Sequence, residues 1–165
     1  INSRKGLTVE IDNTDAEGRL ILGDALTLAC EKKPDLLIDF ATLTGAARVA
    51  LGPELPAMFT NDDDTGRDLA KAGMDIQDPM WQMPLWDNYF SYLSSDIADM
   101  KNSGGSMAGA TTAALFLQKF VDEDTKWVHL DTYGWNPSEK SGRSKGGAAY
   151  GAHASYQYIK NKFGK

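Results

Sequence analysis

Leu36-Leu37-Ile38-Asp39-Phe40 is a near-continuous apolar run of strand length, preceded by Pro34 and broken by Thr42-Leu43-Thr44-Gly45. A run this apolar predicts a strand buried on both faces of a parallel sheet, because an antiparallel strand with one wet face alternates instead. Upstream, Leu7, Val9 and Ile11 alternate with Thr8 and Glu10, which predicts a half-buried strand. Asp12-Asn13-Thr14-Asp15 then supplies turn and cap residues. From Glu17 to Glu31 the residues Leu20, Ile21, Ala25, Leu28 and Ala29 return at three- and four-residue steps, the stripe of an amphipathic helix that Pro34 ends.

Downstream the alternation continues. A short helix is expected over 46–51, closed by Gly52-Pro53, then a strand over 57–60 and a helix opening at Asp62-Asp63-Asp64, whose carboxylates complement the positive end of the helix dipole. Residues 86–93 read as a helix, 96–107 as a loop, 108–121 as a helix, 127–131 as a strand, 133–150 as a glycine-rich loop and 151–163 as a closing helix. Strands alternating with helices predict an α/β layer architecture with a largely parallel sheet. No repeat or linker divides the chain.

Composition narrows the chemistry. With 17 Lys+Arg against 23 Asp+Glu, the formal net charge of −6 opposes a general nucleic-acid or anionic-membrane surface. No apolar run approaches the roughly 18 residues that span a bilayer. One cysteine, Cys30, and two histidines, His129 and His153, cannot assemble a zinc finger, so any metal must be held mainly by oxygen. Cys30 reads as core filler, His129 as a structural hydrogen bonder, His153 as a solvent-facing residue, and Trp81, Trp86 and Trp127 as packing residues. The reduced cytoplasm is the expected compartment. Residue 1 is Ile and a strand begins six residues later, so a chain cut from something longer is expected.

Ligands in open α/β sheets collect at the carboxyl ends of strands, and three loops qualify. In Asn13-Thr14-Asp15-Ala16-Glu17-Gly18-Arg19, Asp15 and Glu17 suit a divalent cation and Arg19 an anion beside it. The same residues also read as a helix cap, a dipole-complementing Glu and a surface Arg. Ala41-Thr42-Leu43-Thr44-Gly45-Ala46 either grips a peptide backbone or is a strand-to-helix turn with Thr44 as cap. The glycine-rich 104–109 loop resembles a phosphate cradle only superficially, since no Gly-Lys-Ser/Thr follows.

The run Asn13 to Arg19, continued by Leu20, resembles the hallmark of the leucine aminopeptidase (cytosol aminopeptidase) family of dinuclear metallo-exopeptidases. Similarity extends through Asp39 to Ala46, Trp81 to Leu85, Ala108 to Ala110 and Trp127 to Asp131. The resemblance implies a three-layer αβα fold with a mostly parallel central sheet. Residues 1–165 would be the C-terminal portion of the catalytic domain, without the N-terminal domain and the first part of the catalytic domain. It also implies removal of N-terminal amino acids from peptides by a metal-bridging water.

In that scheme two divalent ions, manganese or zinc, are held in part by Asp15, through carboxylate and carbonyl, and by a bridging Glu17. Arg19 holds a bicarbonate that serves as general base. Thr42, the Leu43 carbonyl and the Gly45 amide line the substrate site. Tyr133 and Asn136 stand where other members carry smaller or more flexible apolar residues, which implies a narrower or more polar pocket for the first side chain. The remaining ligands and two lysines lie upstream of the hallmark in the family, so this chain alone is expected to be inactive. A cytoplasmic homo-hexamer acting on peptides is implied for the whole protein, and a non-catalytic binding or assembly scaffold is the alternative.

Overall fold

The computed structural model describes residues 1–164. Strand β1 is Val9–Glu10, followed by helix α1 (Gly18–Cys30), β2 (Leu37–Ala41), α2 (Gly45–Leu51), β3 (Ala57–Thr60), α3 (Asp63–Asp75) and β4 (Trp81–Gln82). After β5 (Met100–Lys101) come α4 (Gly109–Gln118), β6 (Trp127–Asp131), β7 (Trp135–Asn136), β8 (Gly146–Gly147) and α5 (Ala152–Phe163). Residues Asp87–Leu93, expected as a helix, form a tighter 3₁₀ helix. The expected loops over 96–107 and 133–150 each contain short strands: β5 pairs with β1, and β7 with β8.

The central sheet has the order β2-β6-β3-β4. β2 runs parallel to β6 and β3 parallel to β4, while β3 runs antiparallel to β6. Strand periodicity sorts the side chains into two layers. Met58, Val128 and Leu130 pack against Leu69 and Ala72 of α3 and Ala154 and Tyr158 of α5. On the opposite face Ala57 and Phe59 meet Ala47 of α2 and Ala110 and Ala114 of α4, and Trp127 joins Leu26 and Cys30 of α1 with Phe116 and Leu117 of α4. The fold is therefore α/β with three αβα layers and a mostly parallel sheet.

Among the described residues β2 has a strand neighbour on one side only and is partly buried, with Phe40 45% exposed, whereas β6 is flanked on both sides and wholly buried. A run of apolar residues is compatible with either place; neighbours on both sides decide it. Trp81 and Trp86 are exposed rather than packed. Cys30 is buried, His153 is exposed, and fully buried His129 bonds Asp39 Oδ1 through Nδ1 at 2.6 Å, all as expected. Asp39 accepts on its other oxygen from Trp127 Nε1 at 2.7 Å, tying β2 to β6 through side chains as well as backbone.

Candidate functional site

The three loops singled out above, with Ile21, Leu22 and Ala25 of α1, wall one cavity of about 760 Å³, lined by residues 13 and 15–19, 41–46, and Ser103, Gly105, Ser106 and Gly109. The convergence follows from the sheet. β2 and β6 are parallel and paired Ala41 to Asp131, so both strands end at the same edge, and the turn after β2 emerges beside Asp131.

The first wall is a 3₁₀ turn, Thr14–Ala16, leading into α1. Asn13 caps it by accepting from the Asp15 amide at 2.9 Å. Beneath it lies Asn102, completely buried: its Oδ1 accepts from the amides of Asp12 (2.9 Å) and Asn13 (3.1 Å), and its Nδ2 donates to the Asn13 carbonyl at 2.7 Å. With a longer bond from Nδ2 to the Ala16 carbonyl at 3.4 Å, this one side chain engages four backbone groups of the turn that presents Asp15 and Glu17. Both carboxylates are exposed and have no hydrogen-bond or ion-pair partner among the described residues.

Arg19 points the other way in character. It is only partly exposed, its Nε and Nη1 are buried without partners, and its guanidinium carbon lies 6.0 Å from the Phe116 ring centroid. Burial holds its pKa below the usual arginine value, and the charge of Asp131 partly restores it. Two unpartnered N–H groups on a largely buried cation leave Arg19 short of hydrogen-bond acceptors, which an oxyanion supplies.

The second wall is fixed from below by Asp131, 2% exposed at the end of β6. It accepts from the amides of Leu43 and Thr44, each at 3.1 Å, and from the Thr44 hydroxyl at 2.6 Å. Burial raises the Asp131 carboxyl above the ordinary range, and these three donors pull it back. Thr44 also caps α2, accepting from the Ala47 amide at 3.0 Å, as its position predicted. Thr42 and Gly45 are exposed on the cavity wall, with Leu43 half-buried beside them.

The structure thus brings Asp15, Glu17, Arg19, Thr42, Leu43 and Gly45 to one cavity. Tyr133 and Asn136 do not line it: Tyr133 lies under the Arg48 guanidinium at 4.7 Å, and Asn136 is buried against the 143–144 backbone. Asn102 and Asp131 were not foreseen as shaping the site. Their only sequence signal is a polar residue in an otherwise unremarkable loop or strand end, with partners about 90 positions away. The donor chemistry fits a hard cation in part. Asp15 and Glu17 offer carboxylate oxygens, but no cluster of three His, Cys, Asp or Glu side chains that could hold a metal occurs among the described residues. No helix among them is long and apolar enough to cross a membrane.

The catalytic-domain profile of the cytosol aminopeptidase family matches residues 1–155. A probable cytosol aminopeptidase of Prochlorococcus marinus (strain MIT 9215) is 46% identical over 164 residues, 98% of this chain and 34% of the relative. One from Syntrophotalea carbinolica is 50% identical over 153 residues, 92% of this chain and 31% of the relative. The crystal structure of the cytosol aminopeptidase from Coxiella burnetii superposes with a TM-score of 0.93 at 49% identity, covering 97% of this chain and 35% of that one. The bottromycin maturation enzyme BotP in complex with Mn gives 0.91 at 32% identity, covering 97% and 36%. The chain spans about a third of the length of the curated relatives it matches.

Proposed function

The chain belongs to the cytosol aminopeptidase family, and from that premise we propose that residues 1–165 are the C-terminal portion of a catalytic domain that removes N-terminal amino acids from peptides. The observation that carries this reading is the convergence of three loops, each at the carboxyl side of a strand, on one cavity that holds Asp15, Glu17 and Arg19 together. Asp15 and Glu17 are the carboxylates that would hold divalent cations, manganese or zinc, with further donors from outside this chain. Such cations, when bound, lower the pKa of water and polarise a scissile carbonyl.

The chain's own residues supply the rest. Arg19 presents buried N–H groups to an oxyanion, for which bicarbonate is the proposed occupant, and holds it where it can accept a proton. The rim of Thr42, the Leu43 carbonyl and the Gly45 amide orients the substrate backbone, and Asp131 keeps that rim in register. Tyr133, whose ring lies under the Arg48 guanidinium, and Asn136 are proposed to set the width and polarity of the pocket for the first side chain. A cytoplasmic homo-hexamer is the proposed setting of the whole protein, with peptides rather than nucleic acid or membrane as partners.

By itself the chain gathers two carboxylates, so we expect weak metal binding and no peptidase activity from it. Calorimetric titration with manganese tests this, and two tight sites would overturn it. The function is tested by grafting residues 1–155 in place of the matching third of the Coxiella burnetii enzyme. We expect an active chimera that loses activity on Asp15→Ala, Glu17→Ala or Arg19→Ala. A chimera that tolerates all three would identify a scaffold instead.

A further inference from the structure

A second cavity, of about 310 Å³, lies between the β7–β8 loop and the start of α5 and shares no lining residue with the first. That volume is at the lower end for small-molecule pockets. Its buried wall includes a carboxylate. Asp78, 5% exposed, receives the Gly151 amide on Oδ1 (2.9 Å) and the Ala154 amide on Oδ2 (3.0 Å), which caps α5 and leaves each oxygen a second lone pair. Asn136, 1% exposed, donates Nδ2 to the Ser144 carbonyl at 2.8 Å and the Arg143 carbonyl at 3.4 Å. Those two carbonyls fix which end of the amide is oxygen, and Oδ1 is left buried without a partner. The hydroxyl of buried Tyr150 is unpartnered as well.

The mouth has the opposite chemistry. Arg143 and Lys145 are exposed there, and neither has a carboxylate partner within ion-pair distance among the described residues. Arg143 is steadied by its stacking 5.2 Å from the Tyr150 ring centroid and by a bond from Nη2 to the Gln77 carbonyl.

Acceptors inside and cations outside define the polarity of a ligand. A buried carboxylate with free lone pairs asks for a positively charged donor, and unpaired cations at the rim ask for an anion one or two bonds further out. We propose that this cavity binds a small free α-amino acid, its ammonium group on Asp78 and its carboxylate on Arg143 and Lys145. Free amino acids are also the product of the reaction proposed above, so a role as a product sensor rests on that reading, while the binding itself does not.

The test is a titration of the isotope-labelled chain with L-alanine, followed by NMR at the Asn136 side-chain amide and the amides of 147–149. Propionate and ethylamine, each carrying half of the zwitterion, serve as comparisons. We expect saturable shifts at these positions with L-alanine, and binding at least ~10-fold weaker for either comparison compound. Arg143→Ala with Lys145→Ala should weaken L-alanine by ~10-fold or more. Both side chains are exposed, so the variant keeps its fold, as its melting curve will verify. Absence of shifts, equal binding of propionate, or indifference to the double substitution overturns the proposal. Shifts confined to 13–19 and 41–46 overturn it while leaving the aminopeptidase reading standing.

Discussion

Arg19→Met should make this chain more stable. Arg19 keeps two N–H groups buried without acceptors, and burial disfavours its charged form in the folded state, so at neutral pH its contribution to stability is negative. An unmade hydrogen bond at a buried polar group costs about 1–3 kcal/mol. Against the relief of two such groups stands the loss of the contact with Phe116, worth about 0.5–1 kcal/mol, and of the attraction to Asp131. Methionine retains most of the side chain's volume, so no large cavity opens. The balance is a gain of about 1–2 kcal/mol. With an m-value of about 2 kcal/mol per molar in urea, the unfolding midpoint should rise by roughly 0.5–1 M. Bicarbonate provides the second arm: it should raise the midpoint of the parent chain in proportion to occupancy, and leave the Met variant unmoved. An Arg19→Met chain no more stable than its parent, or bicarbonate acting equally on both, refutes the reasoning that Arg19 carries unfilled donors for an anion.

Asp131→Ala leaves the amides of Leu43 and Thr44 without their acceptor and should cost about 2–4 kcal/mol in urea unfolding, with faster amide exchange at those two positions. Asp62 caps α3 through the Thr65 amide and faces Lys126; bonding to Thr65 above all, with help from Lys126, brings its pKa from 3.8 to about 2. Its stabilisation, about 1–2 kcal/mol after allowance for partial exposure, is therefore fully present above pH 3.8 and fades as the pH falls through about 2. The stability gap between parent and Asp62→Ala should shrink over that interval, and a gap independent of pH would argue against the ionised cap. Gly23→Ala should destabilise by about 1–2 kcal/mol, since its Cβ would fall 2.9 Å from the Phe120 ring. Gly66→Ala meets only the end of the Gln82 side chain and should be neutral or stabilising by up to ~1 kcal/mol; the two melting temperatures decide it.

The local periodicities were legible: α1, α3, α4, α5 and β6 lie within a few residues of their expected bounds, and Thr44 caps α2 as its place before an alanine-rich turn implied. Features that depend on neighbours were not. Within the described residues β6, with His129 and Asp131 inside it, is flanked on both sides and wholly buried, although its polar residues make it the less apolar of the two strands. Those polar residues are tolerated there because each is hydrogen-bonded, His129 by Asp39 and Asp131 by the turn after β2. Tyr133 and Asn136 are expected at the pocket for the first side chain only by resemblance to the family, and neither lines the first cavity. Gly134, at φ +64°, redirects the chain between them, and Asn136 is drawn to the carbonyls of its own loop.

Register explains why the candidate site could be found from short motifs although its supports could not. Ala41 pairs with Asp131, and Asp39 with His129, on parallel strands. Strand alternation puts Trp127, His129 and Asp131 on the face of α1, α2 and α4, and Val128 and Leu130 on the face of α3 and α5. A slip of one residue would turn Val128 and Leu130 away from their apolar layer and swing Asp131 into it, a charged group among Met58, Leu69 and Met80. The same apolar pattern that selects the register therefore delivers a carboxylate to the end of β6, beneath the turn whose amides it holds. The cavity's geometry is set by core packing, and its chemistry by the few side chains that the core leaves at its edge.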